Sequence, residues 1–156
     1  MSTILVITGE PGWTRRAVHL AGAVAHEAGV AVVLLHMVPV THMGYLGTGS
    51  REALLSFAEF DALNEYMTTA ADYAPVTVEL FEYSDAIGGV LSAAEQYGAT
   101  AVFAAAPGGP LGRLRLWWLR RAIRRPLYTL GDGDPTIILP ARPEAVAVGP
   151  IVEVAQ

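Results

Sequence analysis

The chain contains no cysteine, and all ten of its basic residues are arginine, so it has no lysine either. The first absence excludes disulfides and thiolate chemistry, and it fits a reducing compartment. The second excludes a Walker-type lysine and Schiff-base catalysis. No apolar run approaches the roughly 18–20 residues that would span a bilayer. The apolar start TILVIT is too short for a secretory signal and lacks a basic flank. These absences set the expectation of a soluble, cytoplasmic protein.

What is present suits one domain with a real core: 156 residues, 53% of them hydrophobic. The net charge of −5 argues against general or sequence-specific nucleic-acid binding. The charge is unevenly placed. Six of the ten arginines lie between Arg113 and Arg125 with no acid among them, and the remainder holds four arginines against fifteen acids. A basic strip thus sits on an acidic body.

Short apolar runs alternate with segments of helical period. TILVIT (3–8), VAVVLLHMV (30–38), VTVELFEY (76–83), TAVFAAA (100–106) and TIILP (136–140) read as five strands. Between them, apolar spacing predicts helices over 14–28, closed by Gly29, and over 51–73, stopped by Pro75. Asp85 is placed to cap a third helix running to about Tyr97, with Gly98 ending it. The fourth is the arginine-rich helix. This alternation implies βαβ units: an α/β domain with a five-stranded parallel sheet, doubly wound and Rossmann-like. The domain is expected over residues 1–142. The tail 143–156, with its apolar stretch Val146 to Val154, is a candidate dimerisation strand for a homodimer.

In such a sheet a ligand sits beyond the carboxyl ends of the strands, where the winding reverses. Two glycine-rich loops follow strands there, TGEPGW after the first and APGGPLG after the fourth. The candidate ligand-binding residues are Thr8 and Gly9 on the first strand's exit, Val38 on the second's, and Gly108, Gly109 and Gly112 around the second loop. Arg113, Arg115 and Arg120 stand ready to meet an anionic small molecule. The alternative is that these glycines serve only strand-to-helix turns. Trp13 then staples its loop to the first helix.

The stretch VTVELFEYSDAIGGVLSAAEQYGATAVFAAAPGG resembles the universal stress protein (UspA-like) family in its strand, acidic cap, helix ending AAEQYGA, and strand leading into a glycine loop. VVLLHMV resembles that family's second strand, and the order of elements agrees over about 3–140. The resemblance implies an adenine-nucleotide-alpha-hydrolase-like fold, a small stress-response or regulatory role, and ATP or another adenine nucleotide as ligand. ATP-binding members end the first strand with aspartate, where this chain has Thr8. Their glycine motif falls here on Ala106, Gly109, Leu119 and Arg120, of which only Gly109 matches. A Leu119 side chain would stand where that motif keeps the backbone bare for phosphate. The pocket is therefore expected to be divergent.

The arginine helix has three readings. Leu111, Leu114, Trp118 and Ala122 share a face, with Leu116, Leu119 and Ile123 beside it, and this stripe is expected to cover the sheet while the arginines stay solvated. Otherwise the segment contacts a membrane surface or an anionic partner. Trp117 falls off the stripe and is expected to be exposed. His36, mid-strand, reads as a packed core histidine. His19 and His26 share a helix face but have no third ligand of matching spacing, so no metal is expected. Asp132 and Asp134 read as a tight turn. No serine, histidine and acid constellation stands in a nucleophile-elbow context. The sequence thus points to a regulatory ligand-binding module rather than an enzyme, with weak nucleotide hydrolysis as the remaining catalytic reading.

Overall fold

The computed structural model describes residues 2–39, 55–105, 110–130 and 135–138. In chain order the elements are β1 (Thr3–Ile7), α1 (Pro11–Ala28), β2 (Ala31–Pro39), α2 (Phe57–Ala71), β3 (Val76–Tyr83), α3 (Ala86–Gln96), β4 (Ala99–Phe103), α4 (Gly112–Ala122), β5 (Leu127–Leu130) and β6 (Pro135–Ile138). The sheet order is β3-β2-β1-β4-β5-β6. Strands β1 to β5 are parallel, and β6 returns antiparallel to β5.

This is the expected doubly wound parallel sheet, with one exchange at its margin. The fifth parallel strand is Leu127–Leu130, and the run read as the fifth, TIILP, supplies the antiparallel β6 instead. β5 is fixed by long-range pairing, and the rings of Phe103 and Tyr128 stack across it with centroids 4.5 Å apart. The tail 143–156 and the turn at Asp132 and Asp134 lie outside the described residues.

β1 is apolar after Thr3 and wholly buried, as a central parallel strand covered on both faces must be. Alternation along the strands divides the core into two layers. Ile4, Val6, Val32, Leu34 and Phe103 meet small residues of α1 and the Leu63, Tyr66 and Ala70 side of α2. Leu5, Ile7, Val33, Leu35 and Val102 meet Val90, Ala93 and Ala94 of α3, and Leu119 and Ile123 of the arginine helix α4.

Helix boundaries follow local chemistry. Ser56 and Glu59 form a reciprocal capping box on α2, with Ser56 N–H donating to Glu59 Oε2 at 2.8 Å and Glu59 N–H to Ser56 Oγ at 3.3 Å. Asp85 Oδ2 accepts from Gly88 N–H at 2.7 Å, as its N-cap position predicts. Gly29 closes α1 at φ 65°, a left-handed conformation that favours glycine. Among the described residues no helix is long and apolar enough to cross a membrane.

Candidate functional site

The winding reverses between β1 and β4, and a cavity of about 270 Å³ opens beside their carboxyl ends. Ile7 and Thr8 line it from β1, Ala104 and Ala105 from the exit of β4, and Met37 and Tyr83 from β2 and β3. The first turns of α3 add Ala86, Ile87 and Val90, and α4 adds Leu119 and Arg115. The wall is mostly aliphatic, and Arg115 is its one charged group among the described residues. Gly89 of α3 makes this approach feasible. A Cβ there would stand 2.7 Å from Tyr83 Cβ and 2.7 Å from the Met37 methyl.

The expected ligand residues can be placed except Gly108 and Gly109. Thr8 lines the cavity, but its polar atoms face β2. Its N–H donates to Leu35 O at 2.9 Å and its hydroxyl to the same oxygen at 3.3 Å. Thr8 Oγ1 also lies 3.0 Å from His36 Nδ1, a pair whose donor is set by the imidazole tautomer. Gly9 borders the site, where a Cβ would meet Ala105 Cβ at 3.6 Å, and its N–H donates to Thr14 Oγ1 at 3.0 Å. Val38 is buried in β2, one residue beyond the lining Met37. Gly112 opens α4. Arg113 is exposed, and Arg120 is half-buried with its Nε lacking a hydrogen-bond partner. Gly108 and Gly109 lie outside the described residues, as does Ala106.

The two glycine loops part company at their helix termini. The first turn of α1 is already occupied by an anion, because the Glu10 carboxylate accepts from Gly12 N–H and Trp13 N–H, both at 2.9 Å. Those hydrogen bonds hold the Glu10 carboxyl below its ordinary pKa. No second anion is needed there. The start of α4 differs, since Leu111 at its N-cap makes no side-chain cap hydrogen bond. Trp13 belongs to the α1 and α2 core layer rather than to a ligand lid, and its indole Nε1 is buried without a hydrogen-bond partner.

The expected covering face of α4 is corrected by the structure. Its inner edge is Gly112, Leu119 and Ile123, with Leu116 half-buried, whereas Leu111, Leu114, Trp118 and Ala122 face outward. The helix rests against α3 by this narrow edge. Positions 112, 116, 119 and 123 recur every three or four residues and suffice for it. Trp117 is exposed as expected, and so is the stripe from which it was set apart.

Most of the wall was not foreseen, Met37, Tyr83 and Ile87 included. Met37, Tyr83 and Ile87 carry no chemical signature, and apolar side chains lining a cavity read in sequence as core. The Thr8–His36 pair did leave a signal, because β1 and β2 pair Ile7 with Leu35, which sets the next two residues side by side. Burial pushes the His36 imidazole below its ordinary value, against a smaller opposite pull from the Glu59 carboxylate. His19 and His26 both turn to Tyr73, one meeting its hydroxyl at 3.1 Å and the other its carbonyl at 3.0 Å. Among the described residues no group of three histidines and acids could hold a metal ion.

No protein-family model and no curated protein sequence matches the chain. Solved structures do. A universal stress protein in complex with cAMP superposes with a TM-score of 0.61 at 15% identity, covering 83% of this chain and 97% of that one. The universal stress protein of Archaeoglobus fulgidus in complex with dAMP gives 0.59 at 17% identity, covering 83% and 96%. A universal stress family protein from Burkholderia pseudomallei gives 0.53 at 23% identity, covering 81% and 93%. The fold is that of the universal stress proteins, the family whose strand and helix pattern the sequence resembles.

Proposed function

We propose that the protein is a regulatory module of the universal stress type that binds a small anionic ligand of the nucleotide class in the cavity beside β1 and β4. The observation that carries this is the cavity itself: an aliphatic wall at the winding reversal with one cation, Arg115, at its side. Such a site takes a flat apolar ring on its wall and an anionic group on the guanidinium. Two structural relatives carry cAMP and dAMP, which supports the same ligand class here. Thr8, bound to β2, and Leu119, in the wall, make the pocket divergent from the ATP-binding pattern. Among the described residues the lining contains no carboxylate and no imidazole, which favours binding over catalysis. A cytoplasmic homodimer that uses the apolar tail 146–154 belongs to the same reading.

The test begins with freshly purified protein, denatured so that released small molecules can be identified by mass spectrometry. Calorimetric titration with AMP, cAMP and ATP follows. Binding of a monophosphate is expected, weakened about 10- to 100-fold in Arg115→Gln, the range for removing a hydrogen bond to a charged group. An empty protein that binds none of the three would refute the reading, and turnover of ATP that requires added magnesium would refute its non-enzymatic part.

A further inference from the structure

Helix α4 carries its larger apolar surface on the outside. At about 100° per residue, Leu114 and Arg121 stand opposite the inner edge, with Trp117 and Trp118 on either side of them. Leu111, Leu114, Trp117 and Trp118 leave 56, 52, 50 and 52% of their surface exposed. The two indoles meet edge to face with centroids 5.2 Å apart, and the Arg121 guanidinium lies 5.6 Å from the Trp117 ring centre. Arg113 and Arg120 follow one flank of this patch, and Arg115 the other. No acid occurs between Glu95 and Asp132.

A contiguous patch of this kind, apolar and cationic together, marks a docking surface. We propose that it seats the protein on an anionic lipid surface, with Trp117, Trp118 and Leu114 entering the headgroup boundary and the arginines meeting lipid phosphates. Charge complementarity selects this occupant. A second copy offering the same face would set arginine against arginine. A free phosphate would satisfy the guanidiniums but leave both indoles in water. An anionic bilayer meets both needs, because indoles settle at headgroup level and guanidiniums bind phosphate while their stems lie along apolar surface. The inference rests on α4 alone and meets the ligand cavity only at Arg115, which borders both.

The experiment is flotation of the full chain with vesicles of phosphatidylcholine containing about 30 mol% phosphatidylglycerol, beside vesicles of phosphatidylcholine alone. The protein is expected to float with the anionic vesicles only, and to be released as salt rises toward about 0.5 M, where screening is strong. Tryptophan emission should shift to shorter wavelength and be quenched by brominated lipid, since Trp13 is already buried. The double variant Trp117→Ala with Trp118→Ala should stay at the bottom of the gradient with its circular dichroism unchanged. Failure of the wild type to float, or equal flotation of the double variant, would overturn the proposal. So would a wild type that elutes as an assembly which the same two substitutions reduce to a monomer, because the face would then be held by protein. If the double variant does not fold, lipid quenching of the wild type and loss of flotation in Arg121→Glu decide the matter, and absence of both overturns it.

Discussion

At the scale of single residues, the position that most separates this site from the ATP-binding pattern is Thr8. That pattern has aspartate here, whereas the threonine hydroxyl is drawn into β2 by Leu35 O and His36 Nδ1. This pairing makes His36 a reporter on stability. Its folded pKa lies below the ordinary 6.5 because burial disfavours the imidazolium. The unfolded chain therefore binds the proton more readily, and the stabilising contribution is complete above pH 6.5. It is lost as pH falls from there through the lower folded value. The thermal midpoint is expected to decline over that interval. His36→Gln, which keeps a polar partner for Thr8 but does not titrate, should flatten the decline. Glu10, Glu59 and Glu65, all held below the ordinary carboxylate value, act in a separate window at about pH 4.5 and below. An undiminished step in His36→Gln would assign the effect to another group.

At the scale of elements, stability at the helix starts is local. Asp85 of α3 and Ser56 of α2 each satisfy a first-turn N–H. Asp85→Ala and Ser56→Ala should each cost about 1 kcal/mol. Chemical denaturation should show these losses as roughly additive, because the two caps share no partner. The same locality explains what the sequence disclosed. β1 to β4, α1 and α3 announce themselves through period, cap and stop: TILVI, Asp85 and Gly29 are local signals that the fold obeys. β5 gives no such signal, because LYTL is four residues directly after a basic helix, and it becomes a strand only by pairing with β4 and β6. The face of α4 was equally beyond reach. Leu111, Leu114 and Trp118 compete with Leu116, Leu119 and Ile123 for the inner side, and periodicity alone has no means of choosing between two apolar faces. The position of the site was legible from the winding rule, which brought Thr8 and Gly9 forward. Most of its wall was not, since Met37, Tyr83 and Ile87 differ from core residues only in what lies in front of them.

At the scale of the molecule, α4 joins two surfaces. Its Arg115 borders the cavity while its tryptophans form the outer patch, so an anion held by that guanidinium removes one cation from the strip offered to a lipid surface. Each arginine near an anionic membrane contributes about 1 kcal/mol. Ligand occupancy is thus expected to weaken vesicle binding by up to about fivefold, the factor that energy represents. Linkage requires the reverse with equal size: anionic vesicles should lower the affinity for the anion by the same factor. Titrating the ligand with and without vesicles, and vesicles with and without ligand, gives two independent measurements of one quantity. Unequal factors would show that the two surfaces do not communicate through a single equilibrium. Equal factors near one would mean that Arg115 serves the cavity alone, while the outer patch draws its charge from Arg113, Arg120 and Arg121. The acidic remainder of the chain, four arginines against fifteen acids, favours the coupled outcome. Its repulsion from an anionic surface leaves membrane affinity resting on the six arginines of one segment, so that the neutralisation of even one is felt.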